Sequence, residues 1–148
     1  MRWIGLPLVT LVGVVACGGG ASNDEAAVQR VDSTAIAEAA YDSTVLDTIQ
    51  WKDQKEALDR GALVWAYSCQ KCHGAQGRGD AGFVLEGDTL KPPSFLAMDW
   101  KYANDPEGIH KAIFAGNKEG MPHWGLVGFT YRDVDAVTQY ILTRLRGQ

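Results

Sequence analysis

The sequence predicts a small all-α domain, and three observations carry that expectation. Three segments open with helix-capping residues and then place apolar residues three and four apart. Nothing between them alternates convincingly as a strand. From Gly74 to Ala103 runs a stretch rich in glycine, proline and aspartate, about 30 residues with little periodicity, which a compact domain accommodates when the chain wraps something.

Each helix has its own signals. Asp53, with Glu56 three residues later, starts the first, and Leu58, Gly61, Trp65 and Cys69 continue one stripe, so a helix is expected over 54–70. Asn104 or Asp105 caps the second. Pro106 sits in its first turn, where a missing N–H costs nothing, Ile109, Ile113 and Phe114 face inward, and Gly116 lies just past its end. The third opens with a box of Thr130 and Asp133, carries Val134, Val137, Ile141 and Leu145 on one stripe, and closes near Gly147.

Composition narrows the function. The 148 residues carry 14 Lys+Arg against 18 Asp+Glu, a formal net charge of -4 that offers no basic excess for nucleic acid. No apolar run approaches the roughly 20 residues of a membrane-spanning helix. Three cysteines cannot pair completely, so each is read on its own.

Residues 1–16 read as an export signal. Arg2 supplies the positive start, Trp3 to Val15 is almost wholly apolar, and Val14-Val15-Ala16-Cys17 closes the run. Those last four residues resemble the bacterial lipobox, which implies a lipid on Cys17; a plain secretory signal cut at a small residue and a buried apolar helix are the other readings. Residues 17–50 then form an acidic arm with Tyr41 as its only aromatic, expected to act as a flexible tether with a reach of roughly 30 Å, its alanine-rich stretch between the Asp-Ser-Thr triplets at 32–34 and 42–44 being open to a marginal helix. The arm after Cys17 carries net -5 and the leader +1, so the whole-chain -4 leaves residues 51–148 neutral.

Chemistry concentrates in Cys69-Gln70-Lys71-Cys72-His73. This is the C-x-x-C-H pattern of c-type haem attachment: two thiols three positions apart on a helix reach the two haem vinyls, and the next residue delivers an imidazole to the iron. A redox-active C-x-x-C wants a strand before it, and a structural zinc site wants four ligands, for which no second C-x-x-C or paired histidine exists.

Around this motif the chain resembles a class I cytochrome c over residues 51–148. In that family a glycine and an aromatic precede the first haem cysteine by eight and four residues, here Gly61 and Trp65, and a C-terminal helix crosses them with an apolar residue and an aromatic, here Val137 and Tyr140. The resemblance implies three to five helices wrapped around one covalent haem c. It implies His73 and Met121 as axial ligands, the latter within Gly120-Met121-Pro122, with His123 and Met98 as rivals. It further implies that a proline carbonyl, at Pro92 or Pro93, accepts the other ring N–H of His73. Trp100, Tyr102 and Trp124 are read either as partners of the haem propionates or as apolar wall, and His110 as an amphipathic surface residue.

A haem with two protein ligands has no open position, so the expected function is a membrane-tethered one-electron carrier, with no small-molecule substrate, as a shuttle or as a fixed subunit of a respiratory or photosynthetic complex. The expected partners are redox proteins or such a complex, and the lipid at Cys17 holds the chain on the periplasmic or cell-surface side of the membrane. The competing class is a haem enzyme or small-molecule sensor whose distal ligand dissociates.

Overall fold

The computed structural model describes residues 32–85 and 87–147. One continuous helical run begins with α2 (Gln54–Val64), widens into a π turn (Trp65–Cys69) and ends as α3 (Gln70–His73). The Asp53 carboxylate accepts from the Glu56 N–H at 2.8 Å, as its position ahead of the apolar stripe predicts. For α4 (Pro106–Ala115) the cap is Asp105, which accepts from the Gly108 N–H at 2.8 Å, and Pro106 occupies the first turn. The Thr130 and Asp133 capping box opens α5 (Tyr131–Tyr140), which continues into a second π turn (Ile141–Leu145).

The core is built on the crossing of α2 and α5. A Cβ on Gly61 would overlap the Ala136 carbonyl and lie 2.7 Å from Tyr140 Cβ, so only glycine lets the two backbones approach this closely. One turn on, the Trp65 and Tyr140 rings are 6.3 Å apart. Val134, Ala136 and Val137 have no exposed surface, and Ile109, Ile113 and Phe114 of α4 close over them with Phe95 and Trp100 from the long loop. At the edge of the crossing, burial alone would push the Asp133 carboxyl up. Hydrogen bonds from Thr130 and Arg60 outweigh that and hold it below the ordinary carboxylate value.

Three expectations are corrected. The long loop contains an antiparallel hairpin, β1 (Phe83–Leu85) and β2 (Asp88–Leu90), with Val84 opposite Thr89. Three-residue strands are too short to show a period of two in sequence. The arm is not a coil throughout: α1 (Ser33–Ala40) and a 3₁₀ turn (Ser43–Thr48) pack on the domain. Ala37 is fully buried, the Tyr41 ring lies 5.4 Å from Phe114 and 6.1 Å from Tyr131, and the Asp42 N–H donates to Tyr131 Oη at 2.6 Å. His110, read as a surface residue, is half-buried with Nε2 at 3.4 Å from Asp135 Oδ1.

The signal segment 1–16 and Cys17 lie outside the described residues. Among the described residues no helix is long and apolar enough to cross a membrane.

Candidate functional site

The helical run from α2 through α3 delivers Cys69, Cys72 and His73 to one wall of a large cavity. Both thiols are free. Burial pushes the Cys69 thiol up to about 12, with the neighbouring Cys72 adding to it, so Cys69 stays protonated at any physiological pH. Burial likewise pushes His73 down to about 4, leaving its imidazole neutral, which is the form that binds metals. The ring is held between Phe95, centroids 4.8 Å apart, and Trp65, 6.0 Å away.

The segment after α3 folds back to seal the helix end. Gly79 N–H donates to the His73 carbonyl at 2.8 Å and Gly82 N–H to the Cys72 carbonyl at 3.1 Å, satisfying groups that a helix terminus leaves open. Gly79 has φ +71, and a Cβ there would overlap the Pro92 carbonyl. The backbone of the Pro92-Pro93 turn is thereby laid against the haem-motif segment.

The cavity measures about 780 Å³. It is lined by Trp65, Cys69, Cys72 and His73 of the helical run, by Pro92, Pro93 and Phe95 of the long loop, and by Ile109, Ile113 and Ile141. Trp100, Tyr102, Trp124 and Met121 complete the lining, so every cofactor-environment residue expected from sequence meets in one space. Trp100 packs on Phe95 at 4.7 Å and on Tyr102 at 5.8 Å, and the Arg146 guanidinium lies 5.2 Å from its ring while donating to the Phe95 carbonyl.

The rival ligands are elsewhere. Met98 is 97% exposed. His123 has both ring nitrogens engaged, Nδ1 with the Ala115 carbonyl at 2.9 Å and Nε2 with the Ser33 hydroxyl at 2.7 Å, and does not line the cavity. The hydrogen bond expected from His73 to Pro92 or Pro93 is not formed: His73 Nδ1 is buried without a partner, and both prolines serve as wall.

Sequence reading missed Asn117 and Arg146. Asn117 grips the Met121 backbone twice: its Oδ1 accepts the Met121 N–H at 3.0 Å and its own N–H donates to the Met121 carbonyl at 3.1 Å. An Asn four residues before the Met of a Gly-Met-Pro, just after a helix-ending glycine, was the available signal.

These residues fit a covalently bound haem. A site holding a cofactor-sized group occupies about 300 to 1,000 Å³ and is mainly apolar, as this one is. His73 Nδ1 is buried without a hydrogen-bond partner, an orphaned imidazole nitrogen beside the two thiols that costs roughly 1 to 3 kcal/mol. Among the described residues no group of three or more His, Cys, Asp or Glu side chains could hold a metal ion directly.

The helical fold and the C-x-x-C-H wall define a c-type cytochrome domain of class I. The family model described as cytochrome c oxidase, cbb3-type, subunit III matches residues 56–141, and the chain belongs to that family. Among curated proteins it is similar to the cbb3-type cytochrome c oxidase subunit CcoP of Rubrivivax gelatinosus, 31% identical over 88 residues, which is 60% of this chain and 26% of that protein. It is also similar to the subunit of the same name from Cereibacter sphaeroides, 28% identical over 102 residues, 62% of this chain and 32% of that protein. The chain thus spans about a quarter to a third of the length of these relatives. No solved structure matches it.

Proposed function

We propose that the chain is a monohaem one-electron carrier, with haem c bound covalently through Cys69 and Cys72 and with His73 and Met121 as axial ligands. A bound haem c supplies an iron centre that takes up and gives back one electron. The observation that carries the reading is a single apolar cavity with both thiols and the neutral His73 imidazole on one wall and Met121 among its other lining residues.

The chain's own residues then have separable tasks. Cys69 and Cys72 fix the group in one orientation, and His73 presents a neutral nitrogen. The thioether of Met121 is a soft ligand that favours reduced iron. Phe95, Trp100, Ile109 and Ile113 keep water from the centre, which lowers the local dielectric and favours the less charged state of the site.

The relatives are named as subunits of a cbb3-type oxidase, and this supports a membrane respiratory complex as partner. The Val-Val-Ala-Cys stop of the N-terminal apolar run supports a lipid anchor at Cys17. The decisive experiment is the intact mass of denatured protein matured with haem-attachment machinery: one haem retained on the chain is expected, and an apo mass with extractable haem would overturn the proposal.

A further inference from the structure

The segment 32–48 does not merely lead into the domain. It lies over the loop that carries Met121. Ser33 Oγ meets His123 Nε2 at 2.7 Å, and Lys118 Nζ meets Asp32 Oδ2 at 2.9 Å, so two contacts from the start of α1 fall on either side of Met121 in sequence. Direction follows from chemistry. The Ala115 carbonyl can only accept, so His123 Nδ1 carries the proton, Nε2 is the acceptor, and the Ser33 hydroxyl donates. His123 therefore ties three things together: the last residue of α4, the Met121 loop and the strap.

The rest of the strap is anchored beside the same loop. Ala37 is fully buried, and Tyr41 packs on Phe114, whose ring also fills the space beside Gly125. On the inner side the loop is already tight. Asn117 holds the Met121 backbone at both its N–H and its carbonyl, and Gly116, at φ +66, leaves no room for a Cβ against the Met121 carbonyl.

We infer that residues 32–41 form a strap that positions Met121, acting through the Ser33–His123 hydrogen bond and the Asp32–Lys118 ion pair to hold the distal loop closed over the cavity. Ser33, Asp32 and His123 are positioning residues: none of them lines the cavity, and each acts through the backbone that carries Met121. The inference rests on Met121 as the axial ligand for its effect on the haem, while its effect on the loop does not.

The test uses full-length holoprotein carrying D32N and S33A together, with S33T as the conservative control. Removing two contacts that each contribute modestly is expected to raise carbon monoxide binding to the ferrous protein, and backbone hydrogen exchange over 116–123, by about five- to tenfold. The sulfur-to-iron charge-transfer band of the ferric protein should weaken in the double variant, and S33T should restore all three readouts toward wild type. A general loss of stability would instead speed exchange throughout α2 and α5. Unchanged loop exchange in the double variant would overturn the strap. A wild-type protein lacking the sulfur-to-iron band would remove Met121 as ligand, and the exchange measurement would still decide the strap separately.

Discussion

The Trp51 indole N–H donates to Asp135 Oδ2 at 2.6 Å, joining the residues ahead of α2 to the first turns of α5. Gln139 Nε2 donates to the same oxygen at 2.7 Å, and Arg132 stacks over the Trp51 ring at 3.7 Å. Burial alone would push the Asp135 carboxyl up. His110 beside it and the hydrogen bonds from Trp51 and Gln139 outweigh that, and its value is lowered from 3.8. A lowered folded-state value means the ionised carboxylate stabilises the fold fully above 3.8, and that this contribution is lost as the pH falls through the folded value. Urea melts of the holoprotein at neutral and strongly acid pH should show that loss, and D135N should show a smaller difference between the two. Equal pH sensitivity in both proteins would contradict the assignment.

At the helix crossing, G61A is expected to destabilise despite its better helix propensity. Alanine gains about 1 kcal/mol over glycine inside a helix, whereas overpacking a tight contact costs roughly 1 to 3 kcal/mol. Here the added carbon overlaps backbone, the Ala136 carbonyl, which cannot rotate away. Thermal melting of the holoprotein decides it, and a variant that melts at or above wild type would mean the two helices slide apart easily.

With Met121 as the proposed axial ligand, M121A should lower the reduction potential and open the iron to carbon monoxide, because a soft ligand that stabilises ferrous iron would be gone. Spectroelectrochemical titration checks this. His123 is committed to Ala115 and Ser33, and Met98 is exposed, so neither is placed to substitute. A potential equal to wild type would show that one of them is the true ligand.

C17S should release the chain from the membrane fraction while keeping its haem spectrum, as cell fractionation and absorption spectra will show. A deletion tests the described part of the arm. Removing 33–48 should lower melting, because it takes away the buried Ala37 and the packing of Tyr41 on Phe114 and Tyr131.

What was legible in the sequence was what local chemistry decides. Asp53, Asp105 and Thr130 each satisfy backbone N–H groups a few residues away, so their helices could be placed from neighbours alone. The C-x-x-C-H spacing and Gly120-Met121-Pro122 were equally local. What failed was decided at long range. Residues 33–41 look like part of a polar arm because Ala37 and Tyr41 make the buried contacts, and the ring partners of Tyr41, Phe114 and Tyr131, come much later in the chain. His110 reads as surface until Asp135 is seen beside it. The partner expected for His73 depended on the path of the Pro92-Pro93 turn, which the close approach at Gly79 sets.

The meeting of α2 with α5 also imposes an order in time. A chain emerges from its N-terminal end, so Cys69, Cys72 and His73 appear before any residue of α5 exists to cover Gly61 and Trp65. During that interval the C-x-x-C-H motif has no long-range partner helix packed behind it. The π turn that follows α5 then brings Ile141 to the cavity lining and Leu145 against the Gly77 turn, so the cavity is complete only once the C-terminal end has arrived. Moving α5 ahead of α2 by circular permutation would reverse that order of appearance.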